Sequence, residues 1–208
     1  MVPGQGGRPM HRTLVTFALF AAAPALAQEG PSLDCAAAES SAEELICEDD
    51  ALAALDRRLA ERFSAALAAA EGLDAGAEEA AAELRATQRG WIGGRDECWQ
   101  TDGLRSCVEA AYLRREGQLV ALWMLEEPAA TATYLCAAEG PLELTALYFD
   151  TELPSARLEW GDRVDAATLT PAASGSRYEG SFGTFLWDRG EEAIFSVEGG
   201  EELACTAG

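Results

Sequence analysis

The apolar period of this chain changes at Glu126-Glu127-Pro128, and that change constrains its fold more than any other feature. Before it, Leu52, Leu55, Leu59, Phe63 and Leu67 recur at three- and four-residue steps, the stripe of an amphipathic helix. Ser41-Ala42-Glu43-Glu44 has the spacing of a capping box, in which hydroxyl and carboxylate satisfy orphan backbone N–H groups. Gly72 and Gly76 punctuate a turn. A second helix then carries Leu84, Gln88 and Trp91 on one face and is expected to stop near Gly93-Gly94. A third is expected from about Arg105 to Met124, with Val108, Ala111, Tyr112, Leu119 and Leu122 pointing inward. After Pro128 the period is two. Leu142, Leu144, Ala146 and Tyr148 alternate with their neighbours, as do Ala156, Leu158 and Trp160, and then Ala193, Phe195 and Val197. Short strands with turn signals every 8–12 residues predict a small antiparallel barrel. The chain therefore reads as two-domain α plus β, a helical bundle followed by a small antiparallel β-barrel.

Six cysteines staple this plan, at 35, 47, 98, 107, 136 and 205. The first residues read as an export signal: Arg8 and Arg12, an apolar run from Thr13 to Ala22, and a small-x-small cleavage site at Ala25-Leu26-Ala27. The apolar run is shorter than the ~20 residues of a bilayer-spanning helix, so no stable membrane anchor is expected. Met10 offers an alternative start. No cysteine follows the cleavage site directly, and Ser32-Leu33-Asp34 before Cys35 lacks the small residues of a lipoprotein signal. Cleavage near Ala27 would leave a periplasmic or secreted protein, and an even cysteine count in such a compartment favours disulfides over metal ligation. For the four N-terminal cysteines three connectivities are open; the local pairs Cys35–Cys47 and Cys98–Cys107 are favoured. A bridge between Cys136 and Cys205 would join the first and last strands of the barrel.

The same cleavage removes the only histidine, His11, and the chain has no lysine. A mature protein without imidazole or side-chain amine can build no Ser-His-Asp triad, histidine metal site or Schiff base. The formal charge of -21 excludes nucleic acid as a partner, because phosphate binding needs an excess of cations. It suits a basic partner, and it suits plain solubility equally. The clusters Glu48-Asp49-Asp50, Glu78-Glu79, Glu191-Glu192 and Glu201-Glu202 could in principle serve a glycosidase. They lie in polar segments and read as solvated faces, and no spaced calcium loop is present. Neither a metal nor a cofactor is expected.

Two motifs between Cys136 and Cys205 carry the functional reading: Ser174-Gly175-Ser176-Arg177-Tyr178 and Trp187-Asp188-Arg189-Gly190-Glu191-Glu192-Ala193. Together they resemble the signature of the membrane-bound and periplasmic inhibitors of C-type lysozyme. The resemblance implies a small barrel and a non-catalytic partner of C-type lysozyme that inserts a loop into its cleft. It places lysozyme contacts at Ser174, Gly175, Tyr178 and Arg189. A C-type lysozyme works with two carboxyl groups flanking the bond it cuts, one protonated and one ionised. A hydroxyl can bond either form, and a cation pairs with the ionised one. Two features depart from the family pattern. Arg189 stands where the family has lysine, and Asp188, where it has serine, could draw Arg189 into an internal pair. The loop between the motifs is also one residue longer at Ser181-Phe182-Gly183.

The helical half resembles the N-terminal domain of the LprI lysozyme-inhibitor family over residues 33–122. The residues concerned are Cys35, Leu45-Ile46-Cys47, Leu52 to Leu59, Gln88-Arg89-Gly90-Trp91, Arg95-Asp96, Cys98, Cys107 and Tyr112-Leu113-Arg114-Arg115. Gln88, Trp91, Arg95 and Asp96 read as a packed polar-aromatic core in preference to a contact surface. The resulting plan is a signal peptide over 1–27, a helical domain over 28–127, a linker at 128–130 and an inhibitor-like barrel over 131–208. The rival reading is a non-inhibitory envelope module, for interaction or structure, that binds another basic partner without using the Ser174–Arg189 loops.

Overall fold

A computed structural model describes Met1, residues 30–138 and residues 140–208. The export-signal reading falls on residues outside these. Four helices come first: α1 (Ser41–Glu48), α2 (Asp50–Glu71), α3 (Ala77–Asp96) and α4 (Leu104–Trp123). Eight strands then close a barrel in chain order, every neighbouring pair antiparallel: β1 (Ala130–Ala137), β2 (Pro141–Phe149), β3 (Ser155–Trp160), β4 (Arg163–Thr170), β5 (Ser176–Glu179), β6 (Phe185–Asp188), β7 (Glu192–Ser196) and β8 (Leu203–Ala207). No helix of the described residues is long and apolar enough to cross a membrane.

The helix boundaries follow their caps. The capping box starts one residue earlier than its spacing suggested. Ser40 Oγ accepts the Glu43 N–H at 3.1 Å, and Glu43 Oε2 accepts the Ser40 N–H at 3.2 Å. Asp49 ends α1 and caps α2, its carboxylate accepting the N–H groups of Ala51 and Leu52. Gly76, in the left-handed region with φ 72°, opens α3. That helix does not stop at Gly93-Gly94 but continues to Asp96. Glycine lowers helix propensity by about 1 kcal/mol, and burial at the far end outweighs it.

Arg95 supplies that burial. It is 5% exposed, donates to the Tyr112 hydroxyl at 2.9 Å, pairs with Asp96, and lies over the rings of Trp91 and Tyr112. Tyr112 donates in turn to Asp56, which also accepts the Ser32 hydroxyl and the N–H groups of Ser32 and Leu33. A polar-aromatic core thus sits among Ile46, Leu52, Leu59, Leu84 and Val108. Two bridges close this half locally, Cys35–Cys47 and Cys98–Cys107, at sequence separations of 12 and 9.

The barrel is filled by Tyr134, Leu144, Leu158, Leu186 and Phe195, each at most 1% exposed. It closes where β1 meets β8. Cys136 lies directly opposite Cys205 in that ladder, and the two are bridged across 69 residues of sequence.

Helix α4 joins the halves because it is buried on two faces. Val108, Tyr112 and Leu119 face the bundle, while Val120 and Ala121 pack with Phe149 and Ala166 of the barrel. Gly117 permits the approach: a Cβ there would lie 3.0 Å from Ser155 Cβ and 3.2 Å from Thr168 Cγ2. Arg58 bridges the buried Glu116 of α4 and Glu152 of the β2–β3 loop. Leu122, expected inward, is 38% exposed and lines a cavity at this joint instead.

Candidate functional site

Alternation of the strands sends the 150–154, 171–175 and 189–191 loops to one end of the barrel. The first motif occupies the 171–175 loop and the start of β5; the second runs from β6 through the 189–191 turn. In register, Ser176 faces Asp188 and Arg177 faces Trp187, so the two loops leave the sheet side by side. Gly175 makes this closeness possible. Its φ is +67°, and a Cβ there would lie 2.2 Å from the Asp188 carbonyl oxygen. Any other residue would push the loops apart.

Trp187 ties the pair together. Its indole Nε1 donates to the Ser174 carbonyl at 2.8 Å, fixing the first loop. Its ring face carries the Arg189 guanidinium, 3.7 Å from the centroid, which fixes the second. A planar guanidinium can lie flat on the ring, where an ammonium makes only a point contact, so the arginine at this position has a local partner of its own. Ser174, Gly175 and Arg189 are all exposed.

Asp188 does not take Arg189. Its carboxylate accepts the Gly190 N–H at 2.7 Å and the Tyr148 hydroxyl at 3.3 Å, and among the described residues no carboxylate pairs with Arg189. The cation at the loop tip is stacked on one side and otherwise open.

Tyr178 lies elsewhere. It is 8% exposed and packs inside the barrel against Tyr148, with ring centroids 5.3 Å apart. The structure therefore brings Ser174, Gly175 and Arg189 together at the surface and sets Tyr178 beneath them. Tyr134, Tyr148 and Tyr178 form a cluster below the loops. Burial pushes all three hydroxyls up, and the Asp188 carboxylate adds to the rise. The role of Trp187 escaped the motif reading. The signal was available, since Phe185 and Trp187 share one face of β6 and Arg177 lies across the ladder from Trp187.

A four-helix, disulfide-bridged module followed by a closed barrel with two apposed loops defines a two-module protein whose exposed loops present a hydroxyl and a cation. Residues 35–119 match the family described as "Lysozyme inhibitor LprI", and residues 134–204 match "Membrane-bound lysozyme-inhibitor of c-type lysozyme". The proteins named "Lipoprotein LprI" of Mycobacterium bovis and Mycobacterium tuberculosis are each 34% identical over 176 residues, 82% of this chain and 81% of theirs. The chain belongs to the LprI family.

Proposed function

We propose that this chain is a non-catalytic envelope protein that inhibits a C-type lysozyme, with Ser174 and Arg189 entering the enzyme's cleft. Both matched families are described as lysozyme inhibitors, and the relatives' designation as lipoproteins agrees with an envelope location. The observation that carries the loop mechanism is the double hold of Trp187 on Ser174 and Arg189. In a retaining glycosidase the two carboxyl groups stand about 5–5.5 Å apart. Two apposed loops can address both at once, the Ser174 hydroxyl taking either protonation state and Arg189 pairing with the ionised one. Holding both groups before contact lowers the ordering cost of binding. Tyr178 acts from below, as part of the floor on which the loops rest. The net charge of -21 steers a basic enzyme toward this surface.

The test is lysis of cell walls by a C-type lysozyme, titrated with the mature oxidised protein at rising salt. Saturable one-to-one inhibition that survives high salt supports the cleft reading. Inhibition that disappears with salt reduces it to unspecific attraction between an acidic and a basic protein. Arg189→Ala is expected to weaken inhibition about tenfold or more while leaving the fold intact, the scale of one charge-assisted contact. An unchanged inhibition constant in that variant sinks the assignment and leaves the barrel with a different partner.

A further inference from the structure

Arg115, on α4, is 9% exposed and has no carboxylate partner among the described residues. In a chain with 36 acidic side chains and 15 basic ones, that is anomalous. Its Nε donates to Gln88 Oε1 at 3.0 Å and one terminal nitrogen reaches Thr87 Oγ1 at 3.3 Å, both neutral acceptors. The other terminal nitrogen has no acceptor among the described residues. Burial without a counterion pushes the guanidinium down to about 10. The buried arginine of the bundle core, Arg95, has Asp96 and Glu43 beside it. Nothing equivalent serves Arg115.

Arg115 lines a cavity of about 670 Å³ between α3, α4 and the β4 face of the barrel. That volume lies in the range of small-molecule pockets. Leu84, Leu119, Leu122, Val164 and Phe182 supply its apolar lining. Neither acid on its wall pairs with Arg115. Asp165 accepts the N–H and the hydroxyl of Ser181 as well as its neighbour's N–H, and Glu83 is exposed. Arg157, on the same wall, is already paired with Glu159 and donates to the Leu122 carbonyl. The joint is short of acceptors in a second place, for the Trp123 indole N–H is buried with none among the described residues.

We propose that this cavity binds a small amphiphilic carboxylate, with its headgroup on Arg115 and its apolar body along Leu84, Leu122 and Phe182. A single unpaired guanidinium balances one negative charge, and Glu83 and Asp165 on the same wall disfavour a second. Phe182 suits the rim. It is 89% exposed, with φ 51°, and Asp165 holds the preceding Ser181 in place. A ligand seated here would touch α3, α4 and the barrel together, so it would also brace the joint.

Isothermal titration of the mature oxidised chain with decanoate tests the site, with decanol and decyltrimethylammonium as neutral and cationic comparators. Decanoate is expected to bind at one saturable site and to raise the melting temperature, with each comparator at least about tenfold weaker. Arg115→Gln should weaken decanoate by a similar factor, and Leu122→Trp, which narrows the apolar part of the cavity, should weaken it as well. If Arg115→Gln does not fold, Leu122→Trp and the decanol comparison decide. The proposal is overturned if decanoate fails to bind, if decanol binds equally well, or if a folded Arg115→Gln or Leu122→Trp variant binds decanoate as tightly as the parent. Inhibition of lysozyme is assayed separately on the same variants and should be unchanged, so neither reading stands or falls with the other.

Discussion

The two halves of this molecule are closed by opposite means. The covalent bridges and caps of the helical half are near in sequence, two bridges spanning 12 and 9 residues and caps three residues long. A polar chain runs across this half from Ser32 through Asp56 and Tyr112 to Arg95, beside the apolar packing of its helices. The barrel depends on a single distant event, the meeting of β1 with β8, and its only bridge spans 69 residues there. A locally closed module can lose one staple and keep its plan. A barrel that loses its closing ladder exposes two strand edges at once.

Removing the bridges pairwise puts this contrast to its strongest test. In the chain-entropy account the Cys136–Cys205 loop contributes about 4 kcal/mol and each short loop about 3 kcal/mol. Cys136→Ala with Cys205→Ala should therefore cost the most, measured by urea unfolding of the mature chain. The barrel signal should melt before the helical one. Equal losses for the long and the short bridges would show that the barrel is held by α4 and its own core, and that the contrast drawn from sequence separation is misplaced.

Alkaline titration offers a subtler test. All four tyrosines are shifted upward, mainly by burial: Tyr112 in the bundle, and Tyr134, Tyr148 and Tyr178 in the barrel. Below pH 10 both folded and unfolded states keep these hydroxyls protonated, and stability does not depend on them. Above pH 10 the unfolded phenols ionise while the folded ones hold their protons. The folded state then binds more protons, and stability falls as pH rises. Three of the four lie in the barrel near the Asp188 carboxylate, whereas Tyr112 sits beside the Arg95 cation that opposes its shift. The barrel should lose stability first between pH 10 and 12, followed by its infrared sheet band against the helical far-ultraviolet signal. Simultaneous loss would mean that α4 transmits unfolding across the joint.

Much of this plan was legible from residue type and period. The switch at Pro128, the stripe from Leu52 to Leu59 and the alternation through Leu144, Ala146 and Leu158 each report burial of one face, which is what hydrophobic periodicity measures. Period says nothing of what lies across a second face, so Leu122 was read as core when α4 carries it to the joint. Propensity misplaced the end of α3 because the burial of Arg95 is a tertiary term. The apposition of Ser174 and Arg189 rests on strand register, and register comes from the whole closed sheet. A motif reading places these residues in adjacent loops, but it cannot see Tyr178 turn inward or Arg189 lie flat on Trp187.

Trp187 gives the smallest expected effect and the sharpest one, because it separates presentation of the loops from their chemistry. Trp187→Phe keeps a ring under Arg189 and removes the indole N–H that holds the Ser174 carbonyl. The lost hydrogen bond is exposed and neutral, worth about 1 kcal/mol, so inhibition should weaken roughly fivefold with little change in melting temperature. Trp187→Leu also removes the ring face and should add roughly another factor of two to five, since exposed cation–π contacts contribute about 0.5–1 kcal/mol. The two steps should act chiefly on the dissociation rate, because the charge that steers encounter is untouched. If both variants inhibit like the parent, Ser174 and Arg189 reach the enzyme without being held in advance, and the apposed loops at this end of the barrel are incidental to binding. If Trp187→Phe alone costs as much as Arg189→Ala, the serine loop carries more of the contact than the cation. The burden of inhibition would then pass to Ser174, the group whose hydroxyl can meet either state of a catalytic carboxyl.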